Sequence, residues 1–197
     1  MTVIRGVLLS ISLLTSAAVC GPATTCDQPF QANVRSGSVL ALDLRAGDID
    51  IIGTDTVVVR VSCEAPNREE LRDISVSFES SGPSSKLRVS GGPTNEVRIR
   101  IEVPRNTHLS VKGTAGNMRI DGIRGDKDVQ LKAGDLSIAV GDPADYASVD
   151  ASVNAGDLDA SAFGVRKGGL FRSFHKSQKN GSYTLRARLW AGNVTLE

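Results

Sequence analysis

The stretch Ala133-Gly134-Asp135-Leu136-Ser137-Ile138 holds the phrase that decides the fold, which is Ala-Gly-Asp or Ala-Gly-Asn followed by an apolar residue. The phrase occurs five times in the 197 residues, with its central pair at Gly47-Asp48, Gly116-Asn117, Gly134-Asp135, Gly156-Asp157 and Gly192-Asn193. Glycine adopts the positive φ of a tight corner, and the Asp or Asn side chain can close the turn. A repeated turn that leads into a repeated short strand is typical of a β-ladder built by stacking similar units.

Strand patterns fill the rest of the chain. Apolar and polar residues alternate in Leu40–Leu44 and most clearly in Val97–Val103, which Pro104 ends. Such strands have one buried face and one wet face. From about Thr107 the strands shorten, and the three central Ala-Gly-Asp/Asn units begin 18 and 22 residues apart in the sequence. The sequence therefore predicts an all-β protein in which an antiparallel meander leads into a β-helix-like ladder of short strands, with successive units stacked in chain order. Only Pro66–Arg72 could form a turn or two of helix.

The N-terminus predicts export. Residues 1–20 carry one charge, Arg5, then the apolar run Val7–Leu14 and small residues around Ala17. This run is too short to span a bilayer, so residues 1–20 are predicted to be a signal peptide. Residues 21–36 are expected to form an extended leader, and residues 37–197 a single β-strand-repeat domain. We expect an exported protein of the periplasm or cell surface.

Three cysteines leave two alternatives open. In one, Cys20 becomes a lipidated first residue, although Ala17-Ala18-Val19 departs from the usual lipobox, and Cys26 and Cys63 form a disulfide. In the other, signal peptidase cuts before Val19, Cys26 and Cys63 pair, and Cys20 is free or trimmed away. Loss of residues 1–20 leaves equal numbers of basic and acidic residues. That balance argues against a general attraction of the chain to nucleic acid or to anionic membranes.

The sequence offers little for catalysis. Its Gly-Asp/Asn phrases lack the dense nine-residue pattern of calcium-binding β-rolls, and the only histidines are His108 and His175. We therefore predict no metal, no cofactor, no catalytic residues and no enzymatic activity. The least favoured alternative is an enzyme acting on envelope polysaccharide, which would need acids and bases clustered in a groove. The residues considered for such a cluster are Asp121, Asp126 and Asp142 with Arg119 or Arg124.

The most unusual local composition lies at residues 163–180, where three of the five phenylalanines stand among basic residues. One interpretation is a patch for an anionic partner, formed by Arg166, Lys167, Arg172, Lys176 and Lys179. The favoured interpretation is a loop whose Phe side chains cover the open end of the ladder while the cations stay in water. Trp190, the single tryptophan, is expected to pack on the final strand.

Four segments carry a family resemblance: Val103–Leu109, Gly116–Asp126, Ala133–Ile138 and the closing Gly181–Leu196. Together they resemble the bacterial adhesin-like β-strand-repeat family, also called toast-rack domains, over about residues 37–197. The resemblance implies an extracytoplasmic β-ladder without assigned catalytic residues. It does not by itself establish adhesion, because function is carried by sites rather than folds.

The predicted function is a non-catalytic envelope or surface interaction, with an envelope or surface protein or glycan as the partner. Self-association is possible, and a membrane would be contacted only through a lipid on Cys20. The second alternative is an accessory or sensor lipoprotein in envelope-stress signalling.

Overall fold

The structure, a computed structural model, describes residues 23–93 and 96–197 together with the backbone of Val19–Cys20. Seventeen strands join in one sheet over these residues. Their bounds are β1 Val19–Cys20, β2 Thr24–Thr25, β3 Phe30–Asn33, β4 Val39–Leu44, β5 Asp48–Thr54, β6 Val58–Glu64, β7 Ile74–Ser81, β8 Ser84–Gly91, β9 Arg98–Pro104, β10 His108–Ala115, β11 Met118–Asp121, β12 Lys127–Ile138, β13 Tyr146–Ala155, β14 Leu158–Ala160, β15 Val165–Lys167, β16 Leu170–Ser177 and β17 Tyr183–Leu196. Short 3-10 turns lie at Arg68–Asp73, Pro143–Asp145 and Ser161–Phe163.

The sheet bends at the glycine corners into two stacks of strands that share one core. The first stack runs in the order β7, β8, β4, β10, β12, β17, β13 and β16. The second runs in the order β3, β6, β9, β5, β11, β12, β17, β14 and β15. The long strands β12 and β17 pass through both stacks, on either side of Gly134 and Gly192. Alternate aliphatic side chains from both stacks meet in a single buried cluster.

The corners stack in an order that differs from the chain. Gly47 is followed by Gly116, Gly134, Gly192 and then Gly156, because the last strand, β17, inserts between β12 and β13. The backbones approach so closely that a Cβ on each of the last four glycines would overlap the carbonyl oxygen of the preceding corner. The prediction that units stack in chain order is therefore wrong for the C-terminal strand.

The all-β class and the ladder of short strands with Gly-Asp/Asn turns are confirmed. The expected antiparallel pairing is present in β3–β6, β6–β9 and β7–β8, at the outer end of the first half. Pairs β4–β8 and β5–β9 are parallel instead, so the first half joins the ladder rather than preceding it.

The N-terminal end of the ladder is closed by residues expected to form a leader. Strand β2 pairs with β7 in the first stack, and β3 pairs with β6 in the second. Between them, Cys26 is buried and forms a disulfide with Cys63. The described part of this leader, residues 23–36, thus covers an edge that would otherwise expose unpaired backbone groups.

Candidate functional site

Trp190 lies near the middle of β17, and its aromatic side chain is exposed to solvent. The side chains of Leu185, Ala187 and Leu189 point into the core, so Trp190 lies on the outer face of the first stack, with 68% of its surface exposed. The register places it between Lys132 of β12 and Asn154 of β13. A large apolar ring therefore stands in solvent near the middle of a hydrogen-bonded face.

Trp190 borders a shallow groove of about 350 Å³, here called the Trp190 groove. Its lining combines the ring with cations, amides, a hydroxyl and backbone: Lys112, Gly113, Gln130, Leu131, Lys132, Ser152, Asn154, Arg188, Leu189 and Trp190. The lining holds three cations and no carboxylate. The nearest acidic partner is Asp128, 3.7 Å from an Arg188 nitrogen. The groove is therefore suited to a ligand that offers both an apolar surface and negative charge or hydroxyl groups.

The expectation that Trp190 packs on the final strand is wrong. The sequence did contain the signal, because Thr184-Leu185-Arg186-Ala187-Arg188-Leu189-Trp190 alternates with period two and puts Trp190 on the side of Arg186 and Arg188. The neighbouring cations could not be found in this way, since Lys112 and Lys132 come from strands β10 and β12.

A second, polar cavity of about 270 Å³ lies beside the C-terminal ends of β11 and β12. It brings together Asp121, Arg124 and Asp142, three of the five residues considered for a polysaccharide-active site. Asp142 accepts a hydrogen bond from the backbone N–H of Ala144. The other two lie elsewhere: Asp126 accepts hydrogen bonds from Thr184, and Arg119 lies 3.8 Å from Glu197.

A buried lysine lies behind the wall of this polar cavity. Lys127 is 1% exposed, and its Nζ donates hydrogen bonds to the Tyr146 hydroxyl at 2.5 Å and the Gly125 carbonyl at 3.4 Å. Tyr146, which lines the cavity, donates to the Val140 carbonyl at 3.2 Å. Desolvation lowers the pKa of Lys127 to about 8 and raises the pKa of Tyr146 to about 12. Alternation with Val129 and Leu131 places Lys127 on the inward face of β12, but it gives no sign of the partner Tyr146, which comes from β13.

The turn residues form a row along one corner, here called the acid–amide ladder. In spatial order it runs Asp48, Asn117, Asp135, Asn193 and Asp157. Asn117 donates to Asp48 at 2.9 Å, and Asn193 donates to Asp135 at 2.8 Å. The amides thus separate the carboxylates, and within the described residues no group of three or more His, Cys, Asp or Glu is placed to hold a metal ion.

The five basic residues of the predicted anionic-partner patch are spread along the far end of the ladder. Lys176 Nζ lies 5.2 Å from the Phe163 ring centroid, and the Phe163 and Phe174 rings pack 5.5 Å apart over the core. Arg166, Lys167 and Arg172 lie around the β15–β16 turn, and Lys179 follows the other end of β16. Strands β15 and β16 are the outermost strands of the two stacks at this end.

Comparison with known proteins adds one distant neighbour. No family model matches the chain, and no curated protein matches it. A similar solved structure is that of a putative cell adhesion protein from Clostridium sporogenes, with 13% sequence identity and a TM-score of 0.57 over 86% of this chain and 98% of that one. At this identity the likeness shows a shared fold. Over the part of the chain with described structure, no helix is long and apolar enough to cross a membrane.

Proposed function

We propose that this protein is a non-catalytic, extracytoplasmic, adhesin-like protein that binds an anionic surface glycan in the Trp190 groove. The observation that carries the proposal is the exposed Trp190 ring among Lys112, Lys132 and Arg188 on a strand-centred face. The adhesion protein with the same fold and the Cys26–Cys63 disulfide support a surface location.

The chemistry of the groove fits a sugar chain. The apolar face of a sugar ring can stack on the Trp190 ring, and its carboxylates or sulfates can pair with Lys112, Lys132 and Arg188. Side-chain amides and a hydroxyl, from Gln130, Asn154 and Ser152, suit sugar hydroxyl groups. Because paired strands already fix the backbone that carries these side chains, no loop has to become ordered when the ligand binds.

Affinity electrophoresis in polygalacturonate and in its methyl ester tests the proposal, since esterification removes the carboxylate charge and keeps the same sugar backbone. We expect binding to polygalacturonate that Trp190→Ala reduces at least tenfold. Lys112→Ala/Lys132→Ala should weaken binding to the acid form and leave any binding to the ester unchanged. Arg119→Ala, on the outer face of the second stack, is the matched control. Binding that survives Trp190→Ala would contradict the proposed site.

A membrane-tethered form of the same protein is a second candidate. The disulfide pairs two of the three cysteines, which leaves Cys20 for lipidation. Intact mass of the protein from its native host would show a diacylglycerol-sized gain on a chain beginning at Cys20. A chain beginning at Val19 or later without lipid would exclude the tether.

A further inference from the structure

Strands β15 and β16 form one end of the ladder. Only some of the apolar side chains at this end cover the core. Phe174 is buried and Phe163 packs against the core, but Leu170 and Phe171 are 65% and 78% exposed. Both lie at the start of β16, directly after Gly168-Gly169, which forms the turn between the two strands. Terminal units of stacked-strand proteins usually present polar outer faces, which keep the chain soluble. Two neighbouring apolar side chains in solvent at this position are therefore unexplained by the fold.

The backbone conformation at Phe171 and in the turn before it keeps this segment exposed to solvent. Phe171 has a φ of 53°, a left-handed conformation that is unfavourable for a bulky residue. The turn is fixed by a hydrogen bond from Arg172 Nε to the Gly168 carbonyl at 2.6 Å and by one from the Gly156 N–H to the Gly169 carbonyl at 3.1 Å. Strained, well-supported conformations are concentrated at functional sites.

The surroundings of the turn are basic. Arg166, Lys167 and Arg172 flank it, and no acidic residue occurs between Asp159 and Glu197. The acids that do face it are Asp159, 3.0 Å from Arg166, and Asp157, whose carboxylate lies beside Gly168. A second copy of this chain would bring the same cations together, so like-charge repulsion disfavours a symmetric contact through this end.

We propose that Leu170 and Phe171, at the start of β16, insert into the interface of an anionic lipid bilayer while Arg166, Lys167 and Arg172 contact the lipid headgroups. Two exposed apolar side chains at the start of an outermost strand, with cations around them, match the physics of reversible interfacial attachment. A single pair of apolar residues with a few cations gives weak binding that salt reverses. This proposal does not depend on glycan binding at Trp190.

Co-sedimentation with vesicles tests the insertion. The probes are vesicles of phosphatidylcholine alone and vesicles of phosphatidylcholine with an equal part of phosphatidylglycerol. The mature chain carries Cys20→Ser, so that no covalent lipid contributes. We expect binding to the anionic vesicles only, weakened by salt, and reduced about tenfold or more by Leu170→Ser/Phe171→Ser. Val57→Ser, which removes a 67% exposed side chain from the β5–β6 loop, should bind as the parent does.

A second measurement separates insertion from general attraction to negative charge. In Phe171→Trp/Trp190→Phe the single tryptophan sits at the turn, and its emission should shift to shorter wavelength on anionic vesicles. Its fluorescence should also be quenched by brominated acyl chains. The proposal is overturned if Leu170→Ser/Phe171→Ser binds like the parent, if tryptophan at 171 stays in water while the protein sediments, or if no vesicle binds.

Discussion

Asn193 Nδ2 donates a hydrogen bond to Asp135 Oδ1 at 2.8 Å, although 58 residues separate them in the chain. Asn193 also accepts a hydrogen bond through its Oδ1 from the Asp157 N–H at 3.2 Å. The amide therefore stands between two carboxylates on neighbouring strands. Asn193 is thus the middle of the three consecutive corner residues Asp135, Asn193 and Asp157, where a third carboxylate would be repelled from both sides.

Asn193→Asp should destabilise the ladder by about 1 kcal/mol at pH 7, because three carboxylates would then lie on adjacent strands. Repulsion raises the folded-state pKa of those carboxyl groups, so the loss should shrink as the pH falls and they protonate. Urea unfolding at pH 7 and pH 4 measures both effects. Asn180→Asp adds the same charge in an exposed turn and should leave stability nearly unchanged. Equal losses in both variants would contradict the role of the acid–amide ladder.

Gly134→Ala should cost more than about 3 kcal/mol, because its Cβ would overlap the Gly116 carbonyl in addition to facing the strain of φ 120°. The matched control is Gly141→Ala, which also has a positive φ, 74°, but has open space around the new Cβ. That control should cost about 1 kcal/mol, the price of the left-handed backbone alone. Thermal unfolding measures how much each variant is destabilised relative to the parent. Equal losses in Gly134→Ala and Gly141→Ala would mean that the stacked corners can move apart at no cost in free energy.

Lys127 should make the protein more stable as the pH rises above 8. Its pKa falls from 10.5 to about 8 on folding, so between these values the unfolded chain binds more protons than the folded one. The free energy of unfolding then increases with pH, by about 2 kcal/mol between pH 7 and pH 9.5. Tyr146 opposes this trend only above about pH 10, where the unfolded tyrosine ionises first.

Denaturant unfolding of the parent and Lys127→Met over this pH range isolates the effect. The difference in free energy between the two should change by the same 2 kcal/mol or so, since methionine carries no proton. Lys132→Met removes an exposed lysine and should keep the parent profile. If the free energies of unfolding of the parent and of Lys127→Met changed in parallel from pH 7 to pH 9.5, Lys127 would have an ordinary pKa and would remain charged in the folded protein.

The Cys26–Cys63 disulfide should contribute about 4 kcal/mol, because it closes a loop across a sequence separation of 37 in the unfolded chain. Cys26→Ser/Cys63→Ser should lower the melting temperature accordingly, and reductant should have no further effect on it. Reduction of the parent should reproduce the double variant, whereas Cys20→Ser should melt like the parent. An unchanged melting temperature in the double variant would mean that β2 and β3 hold the end without the bond.

The candidate site was only partly predictable from the sequence. Alternation along β17 is enough to place Trp190 in solvent, because period two is a local property of a strand. The groove also needs Lys132, which strand pairing brings beside Trp190, and Lys112, which lies one strand further away on β10. Likewise, the unusual composition of residues 163–180 is evident in the sequence. The sequence did not reveal that Phe163 and Phe174 pack against the core while Phe171 faces solvent.

The sequence by itself determined the local features: glycine corners, alternating strands, a net charge close to zero and a cysteine pair suited to an oxidising compartment. Tertiary structure decided which corners touch, since every Ala-Gly-Asp/Asn unit offers the same backbone shape to every other. Stacking in chain order would place Asp135 against Asp157. Inserting β17 between them gives the strict alternation of acid and amide from Asp48 to Asp157. Charge separation across strands, which no single unit encodes, contributes up to about 1 kcal/mol in favour of this order.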